Sequence, residues 1–246
     1  MKYCIIIPDG LADYPIEKLS GRTPVEAART PNLDFLAQNG QLGTVRTIPG
    51  GFPPGSDVAN LTIVGYDPKV YYSGRAPLEA ASIGIKLNQN DWAFRCNLIT
   101  ASEDILEDFC AGHIKTDEAD VLIRLINEKL GNDTIQFYTG KSYRHIMVYR
   151  GTQQMDAKCF PPHDIMGQSI EKHLPRGHGG EILIDLMNRS REILAGHEIN
   201  KVRIDLKENP ANMIWLWGQG HRPNMPTFKE RFGLTGAVIT AVDLIN

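Results

Sequence analysis

Two side chains near the start of the chain have types and positions that suit phosphoryl chemistry. Asp9 follows the short apolar run Tyr3–Ile7, and Ser56 follows the glycine- and proline-rich stretch 49–55 at the expected start of a helix. A carboxylate at the carboxyl end of a strand can bind a hard metal ion. A serine at a helix start meets free backbone N–H groups that stabilise a phosphate, and a bound metal eases its deprotonation. Taken alone, the pattern is also that of a turn aspartate and a helix-capping serine.

The elements that would position these side chains follow one another as in an α/β protein. Hydrophobic patterning predicts strands at Tyr3–Ile7, Leu42–Ile48, Ile135–Tyr138, Tyr143–Tyr149, Met213–Trp217 and Gly236–Ala241. Capping residues and amphipathic stripes predict helices that start at Thr30, at Ser56 and at Thr116, the last ending at Leu130, and another over Glu181–Leu194. The segment Pro161–Gly180 is expected to be a long functional or mobile loop.

Composition excludes several classes of partner. The 246 residues carry a net charge of −3, with 42% hydrophobic and 22% charged residues, which argues against nucleic acid or a membrane surface as the main partner. No apolar run reaches the length of a membrane span or a signal peptide. The four cysteines form no CxxC pair, so we expect reduced, mostly buried cysteines in a cytoplasmic protein.

The ordered motifs of the chain resemble those of a known superfamily. The segment Thr30–Gly40 resembles the TPNLDxLxxxG segment of the alkaline phosphatase superfamily, in which an aspartate after the first strand binds metal. More specifically, six further segments resemble, in order and from end to end, the archaeal-type branch of the 2,3-bisphosphoglycerate-independent phosphoglycerate mutases. These segments are Pro54–Asn60, Gly74–Ser82, Phe94–Leu98, Gly112–Ile114, Ser142–His145 and Asn212–Gly220.

This resemblance implies an α/β fold in which part of an alkaline-phosphatase-like core sheet carries an inserted α+β substrate domain. Residues 1–72 would belong to the core, residues 73–225 to the insert and residues 226–246 to the returning core. The implied activity interconverts 3-phosphoglycerate and 2-phosphoglycerate, as in glycolysis, through a phosphoserine at Ser56. It would need two divalent ions, Mn²⁺ or Mg²⁺, with Asp9 and Ser56 as ligands, and no 2,3-bisphosphoglycerate.

The same resemblance assigns the binding of this small-molecule substrate to side chains in the matching motifs. They are Asn60, Arg75, Arg95, His113, Arg144 and Arg222. Planar guanidinium groups bind carboxylate and phosphate bidentately, although arginines elsewhere often form only surface ion pairs. His145 would either serve similarly or pack in the core. The three histidines of the Pro161–Gly180 loop fit no zinc spacing, and a mobile polar loop is favoured.

Members of this family continue past the point where the present sequence ends, and their remaining acid and histidine metal ligands lie in that later segment. We therefore expect the 246-residue chain alone to lack mutase activity and to bind manganese poorly. Two other functions stay open: a different metal-dependent phosphatase or phosphomutase of the superfamily, and a non-catalytic module that binds phosphoglycerate. Oligomeric state is left open by the sequence.

Overall fold

The computed structural model describes residues 2–8, 10–52 and 54–239. Contacts divide the chain into two units, Met1–Arg46 and Thr47–Asn246, which are described separately. The described residues form helices and strands of a mixed α/β protein, as predicted.

The described part of the first unit contains a 3-10 turn (Glu17–Leu19) and two α-helices. Helix α1 (Pro24–Ala27) begins with a capping box between Thr23 and Glu26, and α2 (Pro31–Asn39) confirms the helix predicted after Thr30. Proline suits the first position of α2 because its missing N–H would have no partner there.

The predicted strands Tyr3–Ile7 and Leu42–Ile48 do not form. Both segments lack strand pairing, and in the described part of the first unit the β-type pairing is the isolated bridge between Ile16 and Arg22. A strand is stabilised by a hydrogen-bonded neighbour and by burial of one face. Neither condition is met, since Ile6 remains 76% exposed.

The second unit combines helices with an antiparallel sheet. Its helices are α3 (Ser56–Ile63), α4 (Pro68–Tyr71), α5 (Arg75–Ser82), α6 (Thr116–Leu130), α7 (Gly180–Ala195), α8 (Glu198–Asp205) and α9 (Phe228–Phe232). Its strands are β1 (Trp92–Ser102), β2 (Ile105–Asp108), β3 (Ile135–Lys141), β4 (Arg144–Tyr149) and β5 (Met213–His221).

Apart from the last predicted strand, the elements predicted within this unit are confirmed, with small shifts. The hairpin between β3 and β4 turns at Ser142 and Tyr143 rather than at Gly140 and Lys141. The segment Pro161–Gly180 is an irregular loop with two short 3-10 turns. The predicted strand Gly236–Ala241 is wrong for residues 236–239, which have no strand pairing, and its last two residues lie outside the described ranges.

Strand β1 organises the sheet, since it pairs antiparallel with β4, β5 and β2, and β3 pairs with β4. Alternate side chains of a strand point to opposite faces. Phe94 and Cys96 belong to a large hydrophobic core that also contains residues of α6 and α7. Ala93 lies in a second, smaller cluster with Ala76 and Ala80 of α5. Helix α5 therefore covers one face of β1, and it is on this face that polar groups collect.

Candidate functional site

One carboxylate, Glu79, joins two of the predicted arginines. Arg75 opens α5 and lies one helical turn before Glu79, while Arg95 extends from β1 towards the helix. The Nε–H of Arg75 donates to Oε1 of Glu79 at 3.2 Å, and the Nε–H of Arg95 donates to Oε2 at 2.7 Å. Both oxygens of Glu79 are thus used, each by a different guanidinium.

Arg95 is buried although its charge is only partly compensated. Its side chain is 5% exposed, and its guanidinium lies 4.2 Å from the ring centre of Trp217. Burial lowers the pKa of Arg95 to about 10, an effect that Glu79 opposes and that the nearby charges of Arg75 and Arg144 reinforce. Within the described ranges, the terminal Nη groups of Arg75 and Arg95 form no hydrogen bond. Charged N–H donors that lack a partner in a poorly solvated environment favour the binding of an anion.

Arg144 adjoins the same cluster. It is the first residue of β4 and pairs with Asn97 of β1. A cavity of about 210 Å³ is lined by Arg144 and Glu79 together with Ser82, Thr139 and Lys141, among others. The structure therefore places Arg75, Arg95 and Arg144 around Glu79 and the adjoining cavity, while their binding of substrate stays a prediction.

Ser56 precedes a residue, Asp57, that is connected to this cluster through Tyr72. It is the first residue of α3, with Gly55 rather than Ser56 in the cap position, and its hydroxyl forms no hydrogen bond with a described residue. The neighbouring Asp57 is buried and accepts a 2.6 Å hydrogen bond from the Tyr72 hydroxyl. Burial first, and then the bond and charge of Asp57, raise the pKa of Tyr72 strongly, while the charges of Arg75 and Arg95 oppose the rise. Tyr72 thus links the serine segment to the arginines.

A line of rings runs from the arginine cluster to His113. The Trp217 ring lies 5.4 Å from that of His163, which lies 6.0 Å from that of Phe109. Phe109 contacts Tyr143 at 5.6 Å, and Tyr143 lies 6.1 Å from the exposed ring of His113.

Three residues of this site were missed by the sequence interpretation. His163 was assigned to a mobile polar loop, yet burial and the charges of Arg95 and Arg75 lower its pKa, against the effect of Asp164. Asn97 is buried, accepts the indole N–H of Trp217 at 3.0 Å and donates to the carbonyl of Phe109 at 3.2 Å. The third is Glu79, whose four-residue spacing from Arg75 was the available signal.

The other histidines have structural partners. His145 is buried, and its Nδ1 accepts the backbone N–H of Gly140 at 3.0 Å, so the packing alternative is the correct one. Burial lowers the pKa of His145 to about 3. His173 contacts the carbonyl of Ser169, and His178 contacts Asp156, so these two loop histidines point to separate partners.

The remaining predicted residues are placed less centrally. Asn60 lies one helical turn after Ser56 in α3 and is half-buried. Arg222 is exposed and forms no hydrogen bond or ion pair with a described residue. Asp9 lies outside the described residues. Over the described ranges, no group of three or more His, Cys, Asp or Glu side chains could hold a metal ion.

Two further expectations concern cysteines and membranes. All four cysteines are free thiols, of which Cys96 and Cys110 are buried, Cys159 is half-buried and Cys4 is exposed. The expectation of burial is therefore wrong for Cys4. In the part of the chain that is described, no helix has both the length and the apolar character to cross a bilayer.

Comparison with known sequences identifies one family. The family model described as 2,3-bisphosphoglycerate-independent phosphoglycerate mutase matches residues 37–200. A protein of that name from Methanosarcina mazei is 52% identical over the whole chain, which covers 62% of that relative. A second, from Methanothermobacter thermautotrophicus, is also 52% identical, and the chain covers 61% of it. The chain thus spans about three fifths of the length of these relatives.

Two solved structures are similar. The PH0037 protein from Pyrococcus horikoshii has a TM-score of 0.69 and 33% identity, over 96% of this chain and 56% of its own. The cofactor-independent phosphoglycerate mutase from Thermoplasma acidophilum has a TM-score of 0.56 and 30% identity, over 90% of this chain and 60% of its own.

Proposed function

Because this chain belongs to the family of 2,3-bisphosphoglycerate-independent phosphoglycerate mutases, we propose that the protein interconverts 3-phosphoglycerate and 2-phosphoglycerate through a phosphoserine at Ser56. The observation that carries the proposal is the cluster in which Arg75 and Arg95 share the single carboxylate of Glu79. The substrate supplies a carboxylate and a phosphate, which match the uncompensated guanidinium charge.

We assign the anionic groups of the substrate to the terminal Nη atoms of Arg75 and Arg95, with Arg144 at the adjoining cavity. Glu79 holds the Nε atoms of the first two and so leaves their forked ends for a ligand. His113, Asn60 and Arg222 are proposed to complete the substrate contacts. Among these, His113 has the most support, because the line of rings connects it to Trp217 and Arg95.

Ser56 is proposed as the phosphoryl acceptor. The Ser56 hydroxyl gives up its proton and its oxygen forms a bond to phosphorus, while the ester bond to the glycerate oxygen breaks and that oxygen takes up a proton. The glycerate re-orients, and its other hydroxyl oxygen then attacks the phosphoserine and releases Ser56. At the first position of α3, the free backbone N–H groups and the helix dipole stabilise the added negative charge.

Two divalent ions, Mn²⁺ or Mg²⁺, are proposed for the complete enzyme, with Asp9 and Ser56 as ligands. The described residues do not supply the several acid and histidine ligands that two ions require. They therefore do not fit a two-metal centre by themselves.

The insert at residues 73–225 remains our proposal for the domain organisation. Its two ends lie side by side in the structure, since the hydroxyl of Ser73 donates to the carbonyl of His221 at 2.6 Å. A Cβ atom at Gly74 or Gly220 would overlap the backbone of the opposite segment. Such close passage of two chain segments is what an inserted domain requires where the chain enters and leaves it.

A second candidate function is a metal-independent phosphoglycerate-binding module. It is favoured by the contrast between an assembled arginine cluster and the absence of a metal-ligand group among the described residues. Calorimetry with 3-phosphoglycerate, with and without Mn²⁺, distinguishes it. Binding that Ser56→Ala leaves unchanged, with no turnover in any variant, supports the module.

The test of the mutase is Ser56→Ala in the product of the open reading frame that contains this sequence. Conversion of 3-phosphoglycerate, followed by coupling to enolase, should fall at least about 1000-fold, since the acceptor oxygen is gone. Affinity for 3-phosphoglycerate should change less than about threefold, because the arginines remain.

The matched control is Thr62→Ala, because among the described residues the Thr62 hydroxyl donates just to the carbonyl of Val58 in the same helix. Turnover of this variant should stay near that of the unmodified protein. Retained turnover in Ser56→Ala would remove Ser56 from the mechanism.

A further inference from the structure

The segment between β2 and α6 contains a left-handed turn. Three consecutive residues have positive φ angles: 48° at Ala111, 63° at Gly112 and 53° at His113. For Ala111 and His113 this conformation is unfavourable, because their Cβ atoms approach the following carbonyl groups. Such a turn persists only where surrounding contacts impose it.

Asp108 supplies the main contacts. Its Oδ1 accepts the backbone N–H of Cys110 at 2.9 Å, and its Oδ2 accepts the backbone N–H of Gly112 at 2.7 Å. The side-chain amide of Asn209 donates to the same Oδ2 at 2.8 Å. Although burial acts to raise the pKa of Asp108, hydrogen bonds from the Cys110 thiol, from the Cys110 backbone, from Asn209 and from the Gly112 backbone lower it. This favours the ionised carboxylate, which spans the turn.

Arg203 closes the network from the other side. It is 3% exposed, and its Nη2 donates to the carbonyl of Ala111 at 2.9 Å. Its Nε donates to the carbonyl of Asn209 at 2.9 Å. The peptide group between Ala111 and Gly112 is therefore held from both sides, its N–H by the carboxylate of Asp108 and its carbonyl by the guanidinium of Arg203.

We infer that Asp108 is a positioning residue, which folds the left-handed turn so that His113 is presented at the end of the ring line leading to Arg95. This rests on the proposed function, in which His113 contacts the substrate. The imidazole itself is exposed and contributes nothing to the core, whereas the turn below it is unfavourable and anchored. The contacts thus hold the backbone in an unfavourable conformation beneath an exposed side chain. This indicates that their role is to fix the position of the His113 imidazole.

The test is a double-mutant cycle of Asp108→Asn and His113→Ala, measured as the affinity for 3-phosphoglycerate. In the unmodified background, Asp108→Asn should weaken binding about tenfold, because the amide cannot accept at both positions. In the His113→Ala background it should weaken binding less than about twofold. An equal loss in both backgrounds would overturn the inference.

The matched control is Asp104→Asn. Asp104 also holds a loop, through the hydroxyl of Ser169 and the backbone N–H of Glu171, but it does not touch the His113 turn. Should Asp108→Asn not fold, Asn209→Ala removes one donor to the same carboxylate and should give about a threefold loss, again absent in the His113→Ala background.

The imidazole signals of His113 in ¹H–¹³C NMR separate this inference from the proposed function. Asp108→Asn should shift them and Asp104→Asn should not, whether or not 3-phosphoglycerate binds. Failure of the unmodified chain to bind 3-phosphoglycerate contradicts the proposed function. Unchanged His113 signals in Asp108→Asn contradict the positioning role.

Discussion

The substitution Arg95→Met tests the arginine cluster most directly. Methionine keeps an apolar stem against Trp217 but removes the buried guanidinium and its free Nη donors. A hydrogen bond between charged groups contributes about 1.5–3 kcal/mol, so loss of one bidentate contact amounts to roughly 3 kcal/mol. Since about 1.4 kcal/mol corresponds to tenfold in affinity, we expect binding of 3-phosphoglycerate to weaken about 100-fold.

The fold should tolerate this change. Glu79 keeps the Nε–H of Arg75, so its carboxylate is not left without a partner, and the burial penalty of the Arg95 charge disappears. Removing one member of a buried pair is severe only when the other charge is left uncompensated. We therefore expect the free energy of unfolding to change by only about 1 kcal/mol.

Isothermal titration of 3-phosphoglycerate into the 246-residue chain measures the affinity, and urea unfolding measures the stability. Arg150→Met is the matched control, because Arg150 is a half-buried arginine of the same unit that pairs with Asp91 at 3.5 Å and bonds Gln136. Binding by Arg95→Met within twofold of the unmodified chain refutes the assignment. An equal loss in Arg150→Met would show that any arginine in this unit matters.

Two further predictions concern stability. The pKa of the buried His145 is about 3, below the value near 6.5 that a histidine has in the unfolded chain. Between these two pH values the unfolded state binds more protons than the folded state, so the free energy of unfolding falls as the pH is lowered through this range. Between pH 7 and pH 5 the titration of His145 should lower the free energy of unfolding by about 2 kcal/mol. The variant His145→Gln lacks the titrating ring, so its urea unfolding should depend on pH less strongly by that amount. An identical pH dependence in both proteins would contradict the burial argument. In Gly220→Ala, the added Cβ would overlap the carbonyl of Ser73, so we expect a loss of about 2 kcal/mol or more and a lowered melting temperature. Gly196→Ala, where a Cβ meets no atom within 4 Å, should leave the melting temperature nearly unchanged, and a stable Gly220→Ala variant would show that the two segments can separate freely.

Local patterns predicted the elements whose stability is decided nearby. The helix α6 followed from an apolar stripe, acidic residues in its first turn and a terminal glycine, and it forms over the predicted range, Thr116–Leu130. The hairpin of β3 and β4 followed from two β-rich runs with a short connection. The predictions of strands at Tyr3–Ile7 and Leu42–Ile48 were wrong because a strand depends on a pairing partner that can lie far away in sequence. Local composition does not reveal whether that partner is present.

For the candidate site, too, some features could be predicted from local sequence and others could not. Motifs in the sequence singled out Ser56, Arg75, Arg95 and Arg144, because residue type and order within short segments are visible without a structure. The tertiary structure alone brought Glu79 to Arg95 and placed His163 beside Trp217, since these contacts join a helix to a strand and a loop to a strand.

The sequence by itself thus determined which residues could do the chemistry, and the tertiary structure decided which of them share an environment. The physical reason is one of range. Capping, periodicity and turn preferences act over a few residues, whereas burial, ion pairing and pKa shifts depend on every group that packs nearby. The left-handed turn at Ala111–His113 shows the difference: only Gly112 hinted at it, and the carboxylate of Asp108 together with the guanidinium of Arg203 enforces it.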